Sequence, residues 1–551
     1  MQERQDNFFD PKTIIAIILC GAVFFGWQSY LTQKYPPVKT TETTATEAKP
    51  TPGVTEEQTG ALSATEKSPE TSVKPALPRS HPEAPEQLLE MKVAGMLFRV
   101  SSKGMGLHDL TLETHMDREM NPVKLGSVPG QGLFSTLNLA TEKPMEFTLN
   151  KVSDFEVVGV STFEGATLKK KILFDDKTGS FRTQLTVENA PTGFRGFATT
   201  LSEPQMVYGS GSFLIPSFEH QEIVAHYGGQ NERFNVSHLG EILDKSFPSG
   251  AMVAISSQYF TAAVSDKSEV LPDIKVLARP LSQTTKSGEQ VLSARMEYKP
   301  TAVKPVMEFN YVGYAGPKSH GVLKSVDAEM IGIINFGFFA SIAKLLLVLL
   351  QWFHTFVGNW GLAIIVLTIL VRFIVLPFNI ASYNSMKKMQ KIQPMIQSLR
   401  ERYKDDAQKL NSEMMNLMRE HKVNPLGGCL PMLLQMPVFF ALYQVLGQSI
   451  ELYQAPFIFW IHDLSLKDPF YVLPALMGLS MYVQQKITPT TMDPMQQKIL
   501  QFLPIVFALM MVALPSGLTL YIFISTLFGI IQQQIFMRDK SAVAATKEAK
   551  A

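Results

Sequence analysis

Charge is segregated along this 551-residue chain: long apolar blocks alternate with stretches where most of the ionisable residues collect. The run 362–371 carries no charge at all. A chain divided in this way cannot place everything in one water-soluble core. Its blocks face different solvents, and an apolar block of about 20 residues matches the roughly 30 Å hydrocarbon thickness of a bilayer. Charged residues make up 18% of the chain, and a formal net charge of +1 gives no overall pull toward nucleic acid or anionic surfaces, so any electrostatic argument is local. The two cysteines, Cys20 and Cys429, fall in apolar blocks on opposite flanks of the polar region. That placement argues against a structural disulfide and against a cysteine metal cluster.

After a short polar N-terminus, 1–12, the block 13–31 is long enough to cross a bilayer. It ends in Trp27, Gln28, Ser29 and Tyr30, which fits an uncleaved anchor with an interfacial aromatic better than the alternative, a cleavable leader with small residues at its cut site. Residues 32–86 are rich in Thr, Glu, Ala and Pro and hold too few large apolar side chains to offset chain entropy, as expected of a tether. From 87 to 325 the pattern changes to short alternating or β-branched runs between Gly, Pro and Asn turns. The clearest expected strands are 146–149, 155–160, 167–174, 181–187, 251–255, 274–278, 291–298 and 306–311. So many strands predict an antiparallel β-sandwich, and a domain of this size can rest on its apolar core without cysteine. His220, Glu222 and His226 invite a metal reading. Their spacing suits no common zinc pattern, and a polar loop is the plainer expectation.

The rest of the chain predicts an α-helical bundle. The stretch 326–356 is apolar but carries Lys344, and topology arbitrates its placement. If it and the next block, 357–378, both crossed, the segment 379–424 would share a side with the β-domain. That segment has nine basic residues against five acidic ones, and short loops with such an excess stay cytoplasmic. The expectation is therefore an amphipathic helix along the outer interface, its lysine snorkelling to headgroups. Crossings follow at 425–447, 469–486, 498–514 and 517–537, joined by an outer loop 448–468 and a cytoplasmic loop 487–497, with Pro515, Ser516 and Gly517 as the last tight break. With the N-terminal anchor and 357–378 this makes six crossings and puts both termini, including the tail 538–551, in the cytoplasm.

Arg372 stands out among the isoleucines, leucines and valines of its block. A guanidinium at mid-membrane costs roughly 2.5 kcal/mol or more, so it needs a compensating environment. Counted from residue 359 it lies roughly 20 Å in, beyond the midplane. Two readings stay open: a water-filled cavity inside the bundle, or an anchor snorkelling to inner-leaflet phosphates. Thr368 is one turn away, and Gln435 sits about two turns from the cytoplasm in the next crossing, so these polar groups could line one cavity. Such a cavity would attract polar or acidic segments of a passing chain. In 379–424, Met386, Met389 and Ile396 alternate with Lys387 and Lys388, while Leu410, Met414, Leu417 and Met418 recur at helical spacing. Two amphipathic helices paired as a hairpin are expected, with basic faces free for lipid headgroups, RNA or a nascent chain.

One resemblance is specific. The run 424–443, Asn-Pro-Leu-Gly-Gly-Cys-Leu-Pro-Met-Leu-Leu-Gln-Met-Pro-Val-Phe-Phe-Ala-Leu-Tyr, is similar to the third crossing of bacterial YidC insertases. Segments 356–361, 455–457, 460–464, 493–498 and 515–518 match the same family in order and spacing. The resemblance covers about 326–538 closely and the β-domain by position and class, as in Gram-negative members. It implies a five-helix core in the inner membrane around a hydrophilic groove that is open to cytoplasm and lipid, with Arg372 as its charge. It further implies an apolar slide on which Met436, Phe439 and Tyr521 touch a client helix, and a mobile hairpin presenting Met386, Lys387, Lys388, Met414 and Met418. The implied partners are nascent membrane proteins, lipid, and a Sec translocon of the SecYEG and SecDF type. Ribosome docking is doubtful, because the tail 538–551 is short and only sparsely basic.

Rival functions leave marks that are missing here. No Gly-x4-Gly-Lys-Ser/Thr phosphate loop and no His-Glu-x2-His pair occurs, so neither a nucleotide nor a metal cofactor is implied. A solute transporter would bring intramembrane carboxylates or duplicated halves. An intramembrane protease would need a buried nucleophile and base, whereas His354 and His462 are interfacial. The expected protein is not an enzyme.

Overall fold

The computed structural model describes residues 86–537, except 129, 164, 207–218, 236–242, 281–289, 301, 405, 424–429 and 489–500. The chain divides into two units, Met1–Pro85 and Glu86–Ala551. The expected anchor 13–31, nearly all of the tether 32–86 and of the loop 487–497, and the tail 538–551 lie outside the described residues.

The β-domain carries antiparallel sheets of nine and five strands and a third sheet of four. Alternation decides the faces. In Phe181–Glu188 the side chains of Phe181, Thr183, Leu185 and Val187 point inward while Arg182, Gln184 and Glu188 face solvent. Phe181 meets Phe134 edge-on at 4.7 Å between centroids, and Phe197 stacks on Tyr298 at 4.8 Å, so aromatic pairs bind the layers of one continuous core. Each such ring removed from water contributes about 1.5–3 kcal/mol. All eight expected strands are present, the first displaced to Thr148–Lys151. Others were not expected: Phe197–Pro204 and Phe260–Asp266 are buried on both faces, so their sequences do not alternate. Glu222–Tyr227 is also a strand, which corrects the loop expected there. Glu222 is paired with Arg233, and His226 Nδ1 lies 2.8 Å from Asn231 Oδ1.

The last strand, Val306–Pro317, leads into helix α1, His320–Val326, and a 3-10 turn, Glu329–Ile333. Arg233 reaches across from the sheet and donates to the carbonyls of Gly332 at 2.6 Å and Ile333 at 3.1 Å. The helix expected over 326–356 therefore begins later than its expected bound. A break at 334–339, where Asn335 Oδ1 accepts from Gly337 N and Gly337 takes φ +68°, delays the helix to α2, Ala340–Val357. Ala343, Leu346, Leu347 and Leu350 of α2 are buried, while Leu345, Val348, Trp352 and Phe356 form an exposed apolar stripe. Lys344 is exposed, with its amine 5.7 Å from the ring of Phe336.

Helix α3, Trp360–Ile374, starts at Asn359, whose Oδ1 accepts from Leu362 N at 3.1 Å. It bends by 60° into α4, Leu376–Arg402, with Pro377 in the first turn of α4. The expected boundary at 378/379 therefore falls inside a helix that runs on into the hairpin. Helix α5, Ala407–Glu420, packs Met418 onto Met389, Ile392 and Ile396 of α4. Helices α6, Leu430–Gln448, α7, Val472–Ile487, α8, Leu503–Met511, and α9, Ser516–Met537, complete the described helices. Asp468 is buried between Trp460 Nε1, Phe470 N and Leu473 N, and so fixes the start of α7. Helix α9 starts where Gly517 N donates to the carbonyl of Leu464 at 2.9 Å. By length and composition α2, α9 and the bent pair α3–α4 qualify to cross a membrane.

Candidate functional site

Helix α9 supplies the frame of the site. Tyr521, Ser525 and Gly529 recur every four residues, placing them on one face of α9 that is buried against the other helices. Arg372, near the end of α3, reaches this face: its Nε and Nη2 donate to Ser525 Oγ at 3.0 and 2.6 Å. The guanidinium lies over Gly529. A Cβ built there would sit 3.6 and 3.7 Å from Nη1 and Nη2, and 3.1 Å from Gln484 Nε2 of α7. Arg372 makes no ion pair among the described residues, and α3, α6, α7, α8 and α9 contain no Asp or Glu.

The polar line continues along α9 in both directions. Toward the start of α9, Gln435 Nε2 of α6 donates to Tyr521 Oη at 2.6 Å. Toward its C-terminal end, Tyr383 Oη donates to Gly529 O at 3.5 Å, Asn379 Nδ2 to Gln532 Oε1 at 3.3 Å, and Gln533 Nε2 to Thr488 Oγ1 at 3.1 Å. Helices α3, α4 and α6 and the residue after α7, Thr488, thus turn polar side chains toward α9, while apolar positions such as Phe373, Ile374 and Phe378 are exposed.

The structure brings some expected residues together and separates others. Arg372 and Gln435 meet the same face of α9, through Ser525 and Tyr521 respectively. Thr368 is buried and donates to Ile364 O of its own helix at 2.6 Å, so its hydroxyl is satisfied locally. Met436 is exposed, Phe439 is half-buried against Phe440 and Tyr443, and Tyr521 is buried. Met436 and Phe440 of α6, and Ile505, Val506 and Leu509 of α8, expose apolar surface on the two helices of the expected slide. In the hairpin, Met386 and Met418 are buried and Met414 is half-buried; Lys388 is exposed and Lys387 partly so. The exposed methionines are instead Met395 and Met415. Sequence reasoning missed Ser525, Gly529 and Gln484. The four-residue recurrence of small or polar residues in 521–529 was the available signal.

Two family descriptions match the chain: "60Kd inner membrane protein" over residues 352–543 and "YidC periplasmic domain" over residues 96–349. A membrane protein insertase YidC of Anaeromyxobacter sp. is 34% identical over 503 residues, covering 85% of this chain and 87% of that relative. One from Geobacter sulfurreducens is 51% identical over 232 residues, a match spanning 42% of this chain and 44% of the relative's length. A crystal structure of an active YidC insertase aligns over 81% of this chain and 91% of its own, at 17% identity and a TM-score of 0.37.

Proposed function

The chain belongs to the YidC family of membrane protein insertases, and on that premise we propose that it inserts and folds integral membrane proteins through a hydrophilic groove around Arg372. Membership makes it an inner-membrane protein with a periplasmic β-domain, and the family's named activity is insertion rather than enzymatic catalysis. The proposed arrangement has six crossings, five of them forming the core, α2 along the outer interface, and both termini in the cytoplasm. Length and composition would let α2 span as well, but the basic excess of 379–424 favours the interfacial placement.

The observation that carries this reading is Arg372 held inside the bundle by Ser525 without an acidic partner among the described residues. Such a charge raises the local potential and eases the dehydration of a polar or acidic client tail. The client's apolar segment then leaves along α6 and α8, past exposed Met436 and half-buried Phe439, with Tyr521 at the groove's edge. Moving about 20 apolar residues from water into lipid releases on the order of tens of kcal/mol, which drives the step without a nucleotide. The hairpin residues Met386, Lys387, Lys388, Met414 and Met418 belong to the proposed receiving element, and nascent chains, lipid and a Sec translocon are the proposed partners.

The test is insertion of a short single-span client into proteoliposomes holding the purified protein. Arg372→Ala is expected to cut insertion of an acidic-tailed client at least several-fold, with Arg372→Lys in between. Equal insertion by all three proteins removes the groove charge from the mechanism.

A further inference from the structure

Arginine on a membrane helix has two places to put its charge: the bundle interior, or the lipid phosphates reached by snorkelling. Helix α3 offers both, because Phe373 and Ile374 beside Arg372 are exposed on the bundle's surface. We propose that Ser525, with Gly529 as its complement, is the positioning residue that holds the Arg372 guanidinium on the groove side. The proposal rests on the groove reading above.

Ser525 Oγ takes hydrogen bonds from both Nε and Nη2, so it grips one edge of the planar guanidinium and fixes its rotation as well as its place. Of the five N–H donors, the edge formed by Nη1 and the second Nη2 proton meets no acceptor among the described residues. That edge lies over Gly529, one turn further along α9. A side chain at 529 would occupy the berth and press on Gln484, whose amide is 3.1 Å from the built Cβ. An acceptor at 525 and a gap at 529 therefore turn a long, mobile side chain into a directed donor. Residues 372 and 525 are 153 apart in sequence, so only the packing of α3 on α9 creates the pair.

The experiment uses the full chain in proteoliposomes and one single-span client in two forms, with an acidic tail and with the acids changed to Gln. Ser525→Ala is expected to lower insertion of the acidic form about ten-fold, the size of one hydrogen bond to a charged group, and to leave the neutral form within about two-fold. Ser525→Thr, which keeps the acceptor, is expected to restore the acidic form. Gly529→Val should behave like Ser525→Ala. Ser525→Ala added to Arg372→Ala should fall no further than Arg372→Ala alone. A structural role for Ser525 predicts the opposite: equal losses for both clients, no rescue by Thr, and additive losses in the double variant. Either that pattern or wild-type insertion by Ser525→Ala overturns the proposal while Arg372→Ala still fails, whereas a silent Arg372→Ala overturns the groove reading itself.

Discussion

Gln258 of the β-domain donates through Nε2 to the carbonyl of Gly447, one residue before the end of α6, at 2.7 Å. Nearby, Tyr453 Oη and Gln454 Nε2 both donate to Met116 O, at 2.5 and 2.9 Å. The C-terminal end of α6 and the segment through the 3-10 turn Ile450–Leu452 are thus tied to the β-domain by three hydrogen bonds. Gln258→Ala with Tyr453→Phe is expected to free this end at a cost of about 1–3 kcal/mol. Hydrogen exchange should then quicken at the amides of Ser449, Leu452 and Tyr453, whose bonds close this turn, while amides of the β-core stay protected. Unchanged exchange would show that apolar packing alone holds the contact.

Glu203 makes the β-domain sensitive to pH. Burial pushes its carboxyl up to about 8, opposed by the hydrogen bond from Gly126 N at 2.8 Å. Its folded-state value lies above the unfolded one of 4.5, so folding holds a proton that unfolding releases between those limits. Stability from this group is complete below about pH 4.5 and falls as pH rises to 8, by on the order of 5 kcal/mol in all. Lys170, lowered by burial to about 7, acts in the next window, where stability rises from pH 7 toward 10.5. Glu203→Gln should abolish the decline between pH 5 and 7, read as the exchange protection of strand Phe197–Pro204 across that range.

Gly361 is required by a ring. A Cβ there would lie 2.0 Å from Cδ2 of Phe457, the residue whose carbonyl accepts from Asn359 Nδ2 at 3.3 Å. Gly361→Ala should displace the loop 448–468 from the start of α3 and cost about 1–3 kcal/mol. All four tryptophans lie outside the β-domain, and Trp360 and Trp460 flank this contact, so thermal unfolding followed by tryptophan fluorescence reads it directly. Phe457→Leu in the same chain should recover part of the loss, because the two substitutions share one cavity.

The site was half legible. Arg372 announced itself because a lone charge in an apolar run has few explanations. Ser525 did not, since a serine in a membrane helix is unremarkable until the residue 153 positions away is seen beside it. The β-strands that alternate were readable, whereas Phe197–Pro204, enclosed on both faces, carries no period for the eye to find. The bend between α3 and α4 was written in Pro377, but its angle depends on how α4 packs on the other helices. Thr368 shows the limit of face arguments: it is one turn from Arg372, yet its hydroxyl turns back to Ile364.

The hairpin gives the last prediction. Helical spacing marked Met386, Met414 and Met418 as contacts, but self-packing consumes them: Met418 sits with Met389, Ile392 and Ile396, and Ser382 Oγ lies 3.8 Å from Met386 Sδ. Met395 and Met415 remain 45% and 42% exposed, so among the described residues of the hairpin these two thioethers are the most open to a client. A photo-reactive residue at 395 or 415 should capture an arriving client before insertion, and one at 418 should capture α4 of its own chain. Client capture at 418 equal to that at 415 would mean that the hairpin opens on engagement, with the pairing of α4 and α5 giving way to the client.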